Sequence, residues 1–241
     1  MQIIGNDMNR SQSMLPSILG QNADSIRLDM KGRSKGCLIV VEGIDGTGKS
    51  TLAQSLCQGL FDKLREMVIL TQEPTERFKE FQELENLLAL HPGHPSGYVD
   101  SAALTSLKFT LDHAIHLADV IVPALADDRV VICDRWTPFS SRAYQGPVAS
   151  VLTQSWDIHP DVTLLLAMEP GQALKRLEKR PKGQLPGFEK LGILQKAQEV
   201  YAEMADKDSN WWTFDATLPH VPLVDRAMKI VMSTLAKKRG K

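Results

Sequence analysis

The sequence predicts an α/β fold built on a doubly wound parallel sheet, and three observations predict it. Five short, mostly apolar runs recur along the chain. Longer stretches with helical spacing separate them, and a glycine-rich loop joins the first run to the first such stretch. Strands buried on both faces read as continuous apolar runs, not as alternation. Strands that alternate with helices close into a parallel sheet.

In chain order, the first strand is CLIVVEG, Cys37–Gly43, and a helix over Lys49–Glu66 follows. A second strand, Val68–Pro74, precedes an amphipathic helix over Phe78–Leu90 and a long apolar helix over Ser101–Ala126. The third strand is Arg129–Arg135 and the fourth Val162–Met168. Helices over Pro170–Arg180 and Lys190–Asp206 lead to the fifth strand, Trp211–Ala216, where Trp211 and Trp212 are expected in the core. A last helix covers Val224–Lys237. Two Pro/Gly-punctuated segments interrupt the pattern, His91–Asp100 and the cationic Arg180–Lys190, and long loops of this kind serve as lids or binding loops. Residues 1–35 are rich in Asn, Gln, Ser and Met and show no sustained period. They read as a disordered extension with one short helix near Ser25–Met30, which leaves 36–241 as the folded domain.

Composition narrows the function. With 241 residues and 43% hydrophobic content the chain suits one α/β domain with a tail. A net charge of -1 gives no electrostatic reason for a nucleic-acid or membrane partner. Three cysteines without CxxC spacing point to a reducing compartment and to neither a disulfide framework nor a metal site. No apolar run is read as long enough to span a bilayer, and the first residues lack a signal-peptide core, so a cytoplasmic location is expected. Asp112, His113 and His116 share a helical face and His91 and His94 a loop, but neither set has a known ligand spacing, so metal is not expected there.

GIDGTGKS fits G-x-x-x-x-G-K-[ST], with Gly43, Gly48, Lys49 and Ser50 at the fixed places, strand before and helix after. Glycines let backbone N–H groups converge on phosphate oxygens, and the N-terminus of the following helix adds partial positive charge. Lys49 then reaches the β- and γ-phosphates, and the Ser50 hydroxyl is a Mg²⁺ ligand. Gly46, Thr47 and Thr51 complete the loop, so ATP and Mg²⁺ are the expected ligands. Asp134 and Arg135 end the third strand, on the side where a parallel sheet binds its ligands. An Asp there orients Mg²⁺, partly through water, and an Arg holds an anion.

From about Cys37 to Leu235 the chain resembles the thymidylate kinases, P-loop nucleoside monophosphate kinases. The resemblance rests on EGIDGTGKST, on TQEPT (Thr71–Thr75), on FTLDHAIH from Phe109, on DRWTPFSSRAYQG (Asp134–Gly146) and on FDAT (Phe214–Thr217). It implies strand order 2-3-1-4-5, a lid over the phosphates, and transfer of the γ-phosphoryl of ATP to a deoxynucleoside monophosphate, dTMP first. It implies that Asp45 binds the acceptor sugar, Phe109 stacks on the base and Arg135 holds the acceptor phosphate. Glu73, Pro74, His113, Tyr144 and Gln145 then belong to the acceptor site, Ala216 to the adenine loop, and Arg176, Arg180 and Lys182 to the lid. Lys49, Asp134, Arg135 and Arg180 are the implied catalytic groups. Homodimers occur in the family, and the Ser101–Ala126 helix is available for one.

The chain departs from the family at three places. His113 and Gln72 stand where the family has arginines, and one extra residue separates Asp134–Arg135 from the serine. Arg142 and Arg77 are candidates to compensate. Two alternatives stay open on the residues alone: a deoxynucleoside kinase or another monophosphate kinase, and a non-catalytic nucleotide-binding protein.

Overall fold

The structure is a computed structural model that describes residues 35–89, 101–146, 158–179 and 190–240. The N-terminal extension, the His91–Asp100 loop and most of the Arg180–Lys190 loop, with Arg180 and Lys182, lie outside the described residues.

The apolar runs form five strands: β1 (Cys37–Glu42), β2 (Val68–Gln72), β3 (Val130–Asp134), β4 (Val162–Ala167) and β5 (Trp211–Asp215). They pair in parallel in the order β2-β3-β1-β4-β5. The expected order is thus the observed one. Burial explains the composition: every residue of β1 is buried, and β3 is buried up to its last residue. The outer strand β5 differs. Trp211 is buried, but Trp212 is 48% exposed, which corrects the expectation that both tryptophans enter the core. An outer strand has one neighbour and less cover, and Trp212, Thr213 and Asp215 are exposed while Trp211 and Phe214 are buried.

Helices α1 (Lys49–Leu64), α2 (Phe78–Ala89) and α3 (Ser101–His116) start where expected. The long apolar helix does not run unbroken. A π-helical turn at Leu117–Ile121 separates α3 from α4 (Val122–Ala126). Pro123, in the first turn of α4, has no N–H to give the preceding turn, so the ladder shifts register there. By length and composition Leu104–Ala126 is apolar enough to cross a membrane, the single such helix among the described residues, which amends the sequence reading. Its Asp112, His113 and His116 are buried inside the domain, as in a core helix.

The helix α5 (Thr137–Gln145) is new: TPFSSRAYQ has no apolar period to betray it. Pro138 suits its first turn. Helices α6 (Pro170–Glu178), α7 (Leu191–Lys207) and α8 (His220–Arg239) complete the chain. The last begins earlier than expected, because Pro222 is tolerated in a first turn. Helices α1 and α8 pack on one another and on β1, whereas α5 packs on α3 and α7, and α7 on β4 and β5.

Core side chains from all layers meet around β1, β4 and α1. Leu164 is fully buried there and Leu107 is 45% exposed on α3. Leu164→Ala is expected to lower unfolding stability by about 2–5 kcal/mol, and Leu107→Ala by less than about 1 kcal/mol, in denaturant titrations.

Candidate active site

Parallel register gathers the polar groups. Val41 pairs with Asp134, and Gln72 pairs with Asp134 from the other side. The residues just beyond these three strands, Gly43, Glu73 and Arg135, therefore share one edge of the sheet. That edge is where the loop between β1 and α1 turns.

Within the loop, Gly43, Gly46 and Gly48 have φ of 140°, 89° and 97°, values that side chains rarely tolerate. A Cβ on Gly43 would lie 2.4 Å from the Leu166 carbonyl oxygen, and one on Gly46 2.5 Å from that of Ala173. The loop is therefore pressed on β4 and α6 as well as turned. Thr47 Oγ1 donates to the Ile44 carbonyl at 2.9 Å, and Lys49 Nζ to the same oxygen at 3.0 Å. Lys49 is buried, and its pKa falls to about 8, first through desolvation and then through the charge of Arg135. Thr51 is exposed in the first turn of α1.

Ser50 Oγ donates to Asp134 Oδ2 at 2.5 Å. The other carboxylate oxygen, Oδ1, is buried without a hydrogen-bond partner among the described residues. A hydroxyl and a carboxylate so placed form a hard-oxygen donor set that fits Mg²⁺.

Arg135 adopts φ 76°, a left-handed backbone that turns its side chain back over the loop. Its guanidinium pairs with Asp45 and lies 5.6 Å from the Tyr144 ring centroid. Burial alone would lower its pKa, but the Asp45 carboxylate holds it well above the usual arginine value. Asp45, expected to reach for an acceptor sugar, is thus engaged by Arg135; Lys49 Nζ is 3.9 Å from it and the Tyr144 hydroxyl 3.5 Å. Tyr144 Oη also accepts from Asp45 N at 3.1 Å, and burial pushes its phenol up to about 12.

Four groups at the site were not among the expected site residues. Glu42 is fully buried and accepts from Trp136 N at 2.7 Å; burial, against the charge of Arg135, raises its carboxyl to about 7. Asp112 accepts from Thr75 N and Thr75 Oγ1 at 2.8 and 2.5 Å, fixing the turn after β2. His116 Nδ1 lies 2.7 Å from Glu73 Oε1 and its Nε2 2.7 Å from Thr71 Oγ1. Ser106 Oγ donates to Gln145 Oε1 at 2.8 Å. The order Phe-x-x-Asp-x-x-x-His on one helical face signalled Asp112 and His116; nothing local signalled Glu42 or Ser106.

His113 Nδ1 lies 2.9 Å from Glu73 Oε1, and its ring meets Trp136 edge-on at 4.7 Å. Phe109, expected on the base, lies 4.5 Å from Phe78, centroid to centroid. Pro74 follows a cis bond from Glu73. Arg77 pairs with Asp119 at 3.1 Å, and Arg142 lines a surface cleft with Lys196 and Glu203. Arg176 Nη2 donates to the Ala216 carbonyl at 3.4 Å, which ties α6 to the loop after β5. Glu73, His116 and Cys133 each bring one potential ligand atom within 4.8 Å of the others. Their atoms are already spent in protein hydrogen bonds, Cys133 Sγ on the Arg135 carbonyl at 3.0 Å.

The sequence profile described as Thymidylate kinase matches residues 41–227, which takes in the end of β1, the loop above and strands β2 to β5. The chain belongs to the thymidylate kinase family. It is similar to a "Probable thymidylate kinase" of Methanosarcina mazei, 33% identical over 219 residues, 84% of this chain and 98% of the relative. Relatives of the same name from Methanosarcina acetivorans and Pyrococcus horikoshii are each 37% identical, covering 72% and 71% of this chain and 84% of each relative. Thymidylate kinases are nucleoside monophosphate kinases with ATP as phosphoryl donor, and this chain is such an enzyme.

The glycine geometry separates two costs in the phosphate loop. A Cβ on Gly48 meets nothing within 4 Å, so Gly48→Ala carries backbone strain alone, about 1–2 kcal/mol. Gly46→Ala adds overlap with the Ala173 backbone and is expected to cost at least about 1 kcal/mol more. Thermal unfolding of the two variants measures the difference.

Proposed function

We propose that the chain transfers the γ-phosphoryl group of ATP to dTMP, giving ADP and dTDP. The observation that carries this is the meeting of the glycine loop, the Ser50–Asp134 pair and Arg135 at one sheet edge, in a chain similar to proteins named "Probable thymidylate kinase".

Backbone N–H groups of Gly46, Thr47, Gly48, Lys49 and Ser50 cradle the donor phosphates, with Gly43 and Thr51 completing the turn. Lys49 leaves the Ile44 carbonyl for the β- and γ-phosphates, where its charge counts most as the phosphoryl group moves. Ser50 and Asp134 would hold Mg²⁺, the latter partly through water, and the ion would supply neutralisation of phosphate charge. Arg135 holds the acceptor phosphate, with Asp45 beside it for the sugar and Tyr144 and Gln145 along the pocket wall. A monophosphate acceptor is largely dianionic at pH 7, its second pKa being about 6, so no general base is required. Glu42 then serves as the buried acceptor for Trp136 N, not as a base. Ala216 and Arg176 border the adenine, and the Arg180–Lys190 segment with Lys182 is the lid. We place the protein in the cytoplasm with nucleotides as its partners. The exposed pair Leu107 and Leu111, one turn apart on α3, supports a homodimer, which sedimentation of wild type and Leu111→Glu tests.

The deciding measurement is ADP formation over a panel of dTMP, dUMP, dCMP, dGMP, dAMP and the free nucleosides. dTMP-dependent ADP release is expected, with dUMP the nearest competitor. A nucleoside used in preference to every monophosphate overturns the reading. Lys49→Ala is expected to lower kcat by about 100-fold or more with the fold retained by circular dichroism.

A further inference from the structure

Glu73 is a carboxylate shut away from bulk solvent. Its carboxylate is fully buried, and its backbone N–H donates to the Asp134 carbonyl at 3.0 Å, fastening it to the end of β3. The two oxygens serve different helices. Oε1 takes Nδ1 of both His113 and His116 from α3, at 2.9 and 2.7 Å. Oε2 takes the N–H of Thr137, the first residue of α5, at 2.6 Å. Burial alone would raise this carboxyl, but the charge and hydrogen bonds of His113 and then His116 hold it well below the usual range.

The two helices joined by Glu73 meet again at their other ends. Ser106, early in α3, donates to Gln145, the last residue of α5, so the pair runs antiparallel and is pinned at both ends. Between the pins lie Phe109 on α3 and Tyr144 on α5. An apolar contact lets helices slide or settle in several registers. A buried carboxylate with three directed donors does not, because losing one donor leaves an uncompensated polar group out of water.

We propose that Glu73, with His113 and His116, is a positioning node. It sets the separation and register of α3 and α5 and thereby the affinity for the acceptor, while touching no substrate. This rests on the reading of those helices as acceptor walls. It assigns Glu73 and His113 a different task from the direct contact that the family resemblance implied. His116 enters as a positioning residue of equal standing.

The test combines steady-state kinetics, varying dTMP and ATP separately, with amide hydrogen exchange across α5. Glu73→Gln keeps the shape and removes the charge. It is expected to raise the KM for dTMP at least about tenfold, leave that for ATP within about twofold, and speed exchange of α5 amides about tenfold. His116→Leu is expected to raise the dTMP KM about fivefold, and His116→Gln, which restores a donor of similar reach, to return it to within about twofold of wild type. If Glu73→Gln fails to fold, the His116 pair carries the test. An unchanged dTMP KM in Glu73→Gln and His116→Leu overturns the node. So does a raised KM in Glu73→Gln with α5 exchange as in wild type, which marks direct contact. A folded His116→Gln as impaired as His116→Leu overturns it too, since the imidazole itself is then required. Should wild type form no ADP with dTMP, the acceptor reading falls, and α5 exchange in Glu73→Gln alone decides the node.

Discussion

The register between β1 and β3 is the constraint from which the rest of the molecule follows. Val41 opposite Asp134 sets the two strand ends level. Gly43 can then turn into the phosphate loop within reach of a carboxylate, and Ser50 can meet Asp134 across 84 residues of chain. A slip of one residue would turn Asp134 to the other face of the sheet. Apolar burial enforces that register: the side chains of β1 have no solvent-facing side to which they could move. The site inherits its precision from the least polar part of the protein.

Three carboxylates then sit at one sheet edge, and the structure treats each differently. Glu42 is desolvated, and burial pushes its carboxyl up to about 7 against the charge of Arg135 and the N–H of Trp136. Glu73 is equally desolvated but surrounded by imidazoles, so its charge is kept. Asp134 keeps one oxygen for Ser50 and the other unsatisfied. Only the last leaves a buried oxygen without a hydrogen-bond partner among the described residues. The same functional group does three jobs at or just beyond a strand end, and the neighbours, not the carboxylate, decide which.

Much of this was legible beforehand. Strand positions, the parallel order and the phosphate loop follow from burial on both faces and from glycine spacing, which are local and strong signals. The family likeness supplied the order of the sheet and the identity of the outlying motifs. What escaped was long-range. The helix α5 has no apolar period, because its two sides face α3 and α7 at once. Trp212 read as core because a strand on the sheet's edge and one in its middle share composition. The Asp45–Arg135 pair joins residues 90 apart, and the destination of His113 depends on a glutamate 40 residues away. No window on the sequence contains those pairs. Of the three expected lid cations, Arg176 sits on α6 against the Ala216 carbonyl, and Arg180 and Lys182 lie outside the described residues.

At the opposite edge of the sheet the chain is fastened by other charges. Asp161 accepts from Leu38 N at 2.8 Å and from Lys238 at 2.6 Å, and Arg239 reaches Glu66, the Asp128 carbonyl and the Lys35 carbonyl. Arg239 Nε and the Lys35 oxygen are 3.5 Å apart, although 204 residues separate them. The folded domain is thus nearly a closed ring, shut by one arginine on the side away from the phosphate loop. Its chain could be joined there by a short bridge and opened instead in a surface loop. A circularly permuted form made so would carry the same sheet, the same register and the same strand ends.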